Sequence, residues 1–535
     1  MSLLPRIGAE LDRRLPVLFV IAGAALGSAY ALILPPLQAP DEVGHFHRAF
    51  MISQGHWIAE MFAPVPAQVP RLRTIYPEQL EKTTRITTGE YGALASIALQ
   101  ESPESPIGFT GACLYPPAPY VAPAAVLNIA RRFHAPVIDL MYLGRFANLG
   151  VYLVLVYFAL RMMPGQRVLL FLLALMPMAL HQAASLSADS FTIAISFLLC
   201  AYIFKLAFGD ERPITTRQCC VVTAMILAIA LSKFVVWFAA LLLLLPASKF
   251  RNGRQRWLFV GLELALAVMV AGGWQLLNHE NLMHNESWLT SRDIHDGMNV
   301  QFAIHHPLLV LQSFWPTLIN DSMPRQFIGT FGWLAVNLPV WYVLGYAVLL
   351  GVAALTTGFH LRMTRVQRLV IGAVAVLGTA AILIGVFTYC APRSYLDDSI
   401  NKGISALPGV QGRYLIPIAL LWFMLLTNGR IRLNAGVMTA VAIFLVTVSS
   451  ITGLNAIGRT YYAAPSSEPG SVELVKAMML RGVPHGRYEG NLIRREGDVA
   501  VFLVRDGHKQ AVDAAGANQI VTVPAEDFDA IPSGQ

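Results

Sequence analysis

Asp41, Glu42, His45 and Arg48 fall within eight residues of one another, directly after an apolar run from Leu15 to Leu34. Each type has a use at a membrane surface. A carboxylate can take the proton of an attacking hydroxyl, an imidazole can orient or relay it, and a guanidinium can meet a phosphate with two parallel hydrogen bonds. Pro35, Pro36 and Pro40 end the apolar run, and Pro40 biases Ala39 away from helix, so a second helix is expected to start at Asp41. Counted from Asp41, His45 lies at i+4 and Arg48 at i+7, with Glu42 and Phe46 on the neighbouring stripe, which puts all three kinds of group on one face. The plainer alternative is a solvated interfacial helix whose charges only hold the loop at the lipid headgroups.

Four further ionisable residues lie where apolar surroundings make them costly. At membrane depth such a group costs at least about 2.5 kcal/mol on insertion scales, so each needs a partner or a use. Asp189, in Ser185-Leu186-Ser187-Ala188-Asp189-Ser190, sits at a turn between two apolar runs, where it can serve the chemistry or cap the next helix. Lys233 separates two half-length apolar runs and can hold a phosphate or simply snorkel. Arg145 interrupts an apolar run and has Asp139 as a possible partner. Arg413 enters an apolar run through Gln411-Gly412-Arg413-Tyr414, with Gly412 permitting close approach and Tyr414 at the interface. A guanidinium there suits phosphate, and headgroup snorkelling is its alternative. Phe331-Gly332-Trp333 and Ser313-Phe314-Trp315-Pro316 offer rings for a sugar or for an interfacial belt. His284, His295, His305 and His306 have no tight metal-ligand spacing.

The elements that carry these residues follow from composition. The chain has 535 residues, 55% hydrophobic and only 13% charged, with a mean hydropathy of +0.55. That is an all-α polytopic membrane protein. Its net charge of +7 comes from short basic clusters between apolar runs, which excludes a nucleic-acid-binding reading. A helix of about twenty residues covers the roughly 30 Å hydrocarbon core. Eleven runs approach that length: 15–34, 139–160, 168–185, 190–208, 219–231, 234–247, 257–277, 339–357, 369–388, 413–427 and 434–453. About 11–13 transmembrane helices are therefore expected. With the N-terminus in the cytoplasm, every even-numbered connection is short and basic, holding in turn Arg161 and Arg167, Lys205 to Arg217, Lys249 to Arg256, Arg362 to Arg368, and Arg430 and Arg432. The long connections 35–138, 278–338 and 389–412 then face outward.

Two segments stay open on this reading. Residues 115–134 are apolar enough to enter the bilayer, either as a juxtamembrane or re-entrant helix or as a crossing with a hidden partner. Residues 219–247 form two half-length helices or one long tilted one. The organisation is a transmembrane domain, 1–453, followed by a small exoplasmic region, 454–535, in which Val499 to Val504 alternates like a strand before an Asp506-Gly507 turn. Pro465 to Gly470 reads as linker. The five cysteines show no metal spacing, and only Cys113 and Cys390 could meet outside, with no disulfide expected.

Taken in order, Pro40-Asp41-Glu42 with His45 and Arg48, Tyr115-Pro116-Pro117, the Ser185 to Asp189 turn, Phe331-Gly332-Trp333 and Gln411-Gly412-Arg413-Tyr414 resemble a family of bacterial polytopic membrane proteins of unknown function. That family in turn looks like the GT-C glycosyltransferases. The resemblance covers most of residues 10–455. It implies a GT-C-like fold with juxtamembrane helices in the first exoplasmic loop, located in the bacterial inner membrane. It also implies transfer of a sugar from a polyprenyl-phosphate donor to an envelope glycan or lipid-linked acceptor on the exoplasmic face, with Asp41 or Glu42 as the acidic residue. The expected roles are Asp41 as general base, Glu42 and His45 orienting the acceptor, and Arg48, Lys233 and Arg413 binding the donor phosphate. Tyr115, Asp189, Trp333 and Tyr414 are expected to line the site. Those cations can do the work of a metal, so no cofactor is expected, although a divalent cation is compatible. A flippase for a lipid-linked sugar and a non-catalytic envelope scaffold are the alternatives; clustering at one face and the lack of an internal repeat argue against the flippase.

Overall fold

The computed structural model describes residues 3–59, 64–66, 86, 88–97, 104–106, 111–209, 212–233, 235–356, 363–401, 405–427, 431, 433, 435–462, 492–495, 500–505, 508–512 and 521–523. Every one of the eleven apolar runs lies on helical structure, but not every run is a full-length helix. Among the described residues, six helices are long and apolar enough to cross a membrane: Arg13–Ile33, Val137–Met162, Ala188–Phe208, Gly253–Leu277, Arg365–Cys390 and Gly436–Tyr461. Shorter apolar helices occupy Thr216–Ala230, Val340–Thr356 and Gly412–Leu425. Several of the expected 11–13 transmembrane segments are thus not single long helices, and local chemistry explains some of these cases. Run 168–185 breaks between Arg167–Ala174 and Pro177–Ala183, because Pro177 has no N–H to continue the first helix and instead opens the second. Run 219–247 splits into Thr216–Ala230 and the 3-10 stretch Val236–Leu244, which decides for the two-helix alternative.

The broken helix and Ala188–Phe208 form the centre. Leu169 to Ala174 and most of Ala188–Phe208 are buried, surrounded by the helices Val137–Met162 and Arg13–Ile33 and by Ile416–Leu425. Gly27 lets the first helix approach Val137–Met162 so closely that a Cβ there would strike Leu149.

The two ends of the bundle differ as the charge pattern requires. At one end the short basic connections meet. Arg256 donates to the carbonyls of Leu243 and Leu245, Arg368 to those of Leu425 and Thr427, and Gln166 to that of Ala354. The long connections gather at the other end. There Val121–Arg131, 11 residues long, packs on Glu42–Ser53 and on Val137–Met162. It spans only about 16 Å, too little for a crossing. The second long connection is largely helical, with His279–Thr290, Asp296–His305, Pro307–Leu318 and Ser322–Ile328 followed by a hairpin pairing Thr330–Phe331 with Val336–Asn337. In the tail, Val501–Arg505 pairs antiparallel with His508–Val512 in a four-stranded sheet, as the alternating pattern implied. The Asp506-Gly507 turn and the 465–470 linker lie outside the described residues. Strand Val521–Val523 touches helix Thr88–Ser96 of the first long connection, so the tail sits at that same end. All five cysteines are free.

Candidate functional site

Between the first span and helix Glu42–Ser53, Leu37 and Asp41 both take left-handed backbone angles, with φ of 65° and 62°. Aspartate tolerates that region, whereas a bulky leucine there costs about 1–3 kcal/mol and must be held. Leu37 is held by burial of its side chain and by Trp333, whose Nε1 donates to the Leu37 carbonyl at 3.1 Å. Asp41 occupies the N-cap position but its carboxylate makes no capping hydrogen bond. Instead the carboxylate, 61% exposed, lies 3.4 Å from Nη2 of Arg413.

Arg413 arrives on the 3-10 turn Gly412–Leu415. Gly412 lies so close to the Met323 carbonyl and the Phe327 amide that no Cβ would fit, and its N–H donates to Gln326 Oε1 at 3.0 Å. The Arg413 side chain is 2% exposed. Its Nη1 donates to Gln182 Oε1 at 3.2 Å and lies 3.7 Å from Asp189 Oδ2. Asp189 stands in the first turn of Ala188–Phe208. The cap of that helix is the Ser187 hydroxyl, which accepts from the Asp189 N–H at 3.1 Å. Asp189 is therefore not the N-cap, and its carboxylate is released to take Lys233 Nζ at 2.6 Å. The Lys233 ammonium lies over the rings of Tyr115 and Tyr414, at 5.0 and 5.7 Å. The result is a string of alternating charge, Asp41, Arg413, Asp189 and Lys233, walled by two tyrosines and open to solvent at Asp41.

Four expectations are corrected by this geometry. Glu42 points away from the string into the protein. There Arg145 donates Nε and Nη2 to its two carboxylate oxygens at 2.7 and 2.6 Å, and both side chains are fully buried. Arg145 gives its remaining hydrogens to the carbonyls of Ala31, Leu34 and Pro35, so all five guanidinium donors are used. The Leu186 N–H completes Glu42 Oε1. Glu42 is thus a structural knot, and Arg145 takes Glu42 rather than the expected Asp139. Arg48, expected at the phosphate, is buried with its donors turned to the carbonyls of Trp57, His56 and Tyr115, which braces the first connection. Trp333, expected as a lining ring, holds the Leu37 backbone instead. His45 lies beside the string but inside the protein, stacked on Tyr115 and sharing a 2.7 Å hydrogen bond with Tyr120.

A family model described as "Predicted membrane protein (DUF2142)" matches residues 25–422, which include every residue of the string and of the Glu42–Arg145 knot. The chain belongs to this family. No curated protein matches it.

In this family member, the electrostatics around the string separate a neutral group from a charged one. Burial, reinforced by Lys233, pushes the His45 imidazole down to about 4 against the pull of Asp41 and Asp189, so it is neutral near pH 7. For Lys233, burial acts to lower the pKa, but the Asp189 carboxylate outweighs it and raises the value above the ordinary lysine range. The cation is fixed and the imidazole is not one. Among the described residues, no group of three or more His, Cys, Asp or Glu gathers as a metal site would require. Two buried polar residues escaped the sequence reading. Gln182 orients Arg413, and Asn148 donates Nδ2 to the carbonyls of Ser185 and Ser187, fixing the turn that carries Asp189. The signal for Gln182 was present, since His181-Gln182 is a polar pair inside the apolar run 168–185.

Proposed function

We propose that the protein is an inverting glycosyltransferase of the GT-C kind, which passes a sugar from a polyprenyl-phosphate donor to an envelope glycan or lipid-linked acceptor on the exoplasmic face of the inner membrane. The observation that carries this reading is one solvent-exposed carboxylate, Asp41, touching a buried guanidinium, Arg413, that is linked through Asp189 to a second cation, Lys233. In the reaction, the acceptor oxygen forms a bond to the anomeric carbon as the bond from that carbon to the phosphate oxygen breaks. Asp41 takes the hydroxyl proton, and the electron pair leaves with the polyprenyl phosphate, whose charge Arg413 and Lys233 neutralise. A positioned base contributes roughly 10² to 10⁴-fold, and cations aimed at the departing charge add transition-state stabilisation. Neutral His45, held by Tyr120 and Tyr115, positions the wall beside the base. The basic connections gathered at the opposite end favour a cytoplasmic N-terminus, with the site and the tail exoplasmic.

A flippase for a lipid-linked sugar is the second reading, favoured by the helix interrupted between Ala174 and Pro177 and by the 3-10 stretch Val236–Leu244. One experiment separates the two. Membranes containing the protein are given radiolabelled polyprenyl-phosphate sugars, and label is followed into lipid-linked glycan. The transferase reading expects label in product with wild type and none with Asp41→Asn, at equal protein levels. Movement of intact donor across the bilayer without product would establish the flippase instead.

A further inference from the structure

The second long connection carries an unpartnered apolar face. Helix Pro307–Leu318 turns Val310, Ser313 and Thr317 inward, where Val310 joins a cluster with Leu383 and Phe387 of the spanning helix Arg365–Cys390. Ser313 and Thr317 satisfy their hydroxyls within the helix itself, on the carbonyls of Val310 and Ser313, and Thr317 Oγ1 also accepts from the Leu407 N–H. The opposite face is Leu308, Leu311, Trp315 and Ile319, with Leu308 70% and Trp315 69% exposed. Four large apolar side chains at intervals of three and four residues form one continuous stripe.

Two observations say what covers it. First, the inward face rests on Leu383 and Phe387, within two turns of the end of a helix that is itself long and apolar enough to cross a membrane. Asn299, on the preceding short helix, donates to the carbonyls of Phe387, Thr388 and Ala391 and so caps that spanning helix at its end. Second, the spanning helix exposes Val376, Leu377 and Ile384 along the same stretch, so the stripe continues a surface that is already lipid-facing by composition. The stripe helix has 12 residues, about 18 Å long, too short to cross. Polar residues bound it on both sides, His305 and His306 before it and Asn320 and Asp321 after it.

We infer that Pro307–Leu318 is a monotopic helix lying in the outer leaflet, with Leu308, Leu311, Trp315 and Ile319 embedded among lipid acyl chains. Interfacial helices of this pattern bind through buried apolar area on one face. The chain continues through Asn320 and Asp321 into the short helix Ser322–Ile328, whose Met323 and Phe327 backbone abuts Gly412. A lipid-contacting wall therefore leads directly to the turn that carries Arg413. The inference stands whether or not the protein transfers sugar.

The test uses the full chain reconstituted in phosphatidylcholine vesicles whose acyl chains carry bromine near the headgroup end. Tryptophan quenching is compared between wild type and Trp315→Phe. Embedding is supported when the emission lost in Trp315→Phe is the fraction that brominated lipid quenches and aqueous acrylamide does not. As a second readout, Leu308→Cys should react severalfold more slowly than Gln301→Cys with a membrane-impermeant maleimide. If the Trp315 emission is quenched by acrylamide and untouched by brominated lipid, the helix lies in water and the inference is overturned. If neither agent reaches it, protein covers the stripe, a second copy or another chain, and the inference is overturned equally.

Discussion

Glu42→Gln tests the division of labour between two adjacent carboxylates. In the wild type Glu42 is fully buried, and among the described residues its charged partner is the equally buried Arg145. Breaking a buried ion pair by removing one member costs about 3–5 kcal/mol, because the other charge is left without a counter-ion in a low-dielectric surrounding. Glutamine keeps an acceptor for the Leu186 N–H and for one Arg145 donor, which places it near the lower end of that range, and Glu42→Ala near the upper end. Set against the roughly 5–15 kcal/mol that separates folded from unfolded states in ordinary domains, either loss is large. The assay is thermal unfolding of the purified protein in detergent at fixed protein and lipid content. Both variants should melt well below wild type, with Ala lowest. Adding Arg145→Met to Glu42→Ala should recover part of the loss, so that the double variant is less destabilised than the sum of the two single ones. The reasoning fails if Glu42→Gln melts with wild type and yet loses transfer, because Glu42 would then be a reacting group rather than a knot.

Three further outcomes follow from the string. Asp41→Asn should transfer nothing yet bind farnesyl phosphate severalfold more tightly than wild type, since the carboxylate that competes for Arg413 is gone; unchanged binding, measured by titration, would remove the Asp41–Arg413 contact from the site. Arg413→Lys should lower transfer at limiting donor about ten- to a hundredfold, because an ammonium cannot reproduce two parallel hydrogen bonds, and free substitution would leave Arg413 a headgroup anchor. For His45 the folded value of about 4 lies below the ordinary 6.5. The unfolded chain therefore takes up the proton first, and stability that is intact above pH 6.5 falls as pH drops from 6.5 through 4, by roughly 3 kcal/mol. A pH series of melting temperatures should show that slope in wild type and a flatter one in His45→Gln.

How much of this was readable in the residue string differs by level, for physical reasons. Apolar length and the alternation of basic connections located the long apolar helices and the two ends of the bundle, because both are properties of local composition, whereas the short helices of the long connections carry no such signal. Helix breaks at Pro177 and around Lys233 were only half visible, since a run can be apolar throughout and still be folded as two short pieces once its neighbours supply the backbone partners. At the site, Asp189, Lys233 and Arg413 stood out because a charge in apolar surroundings is costly without a partner, and the structure joins them to one another and to Asp41. Glu42 and Arg48 misled for the opposite reason. Helical spacing says which residues share a face, but it does not say which face is buried. Asp41 stands at the N-cap in a left-handed conformation, outside the helix that begins at Glu42, so spacing counted from it does not hold, and the first carboxylate turns to solvent while the second turns to Arg145. The cost of burying Arg145 already demanded an acidic partner of its own. Asp139 was nearer in sequence, yet the guanidinium also needed the carbonyls of Ala31, Leu34 and Pro35, and only a carboxylate just beyond that helix end could join them. Matching Arg145 to the acid beside a helix end with open carbonyls, rather than to the nearest acid along the chain, would have assigned Glu42 to structure and left Asp41 as the exposed carboxylate at the site.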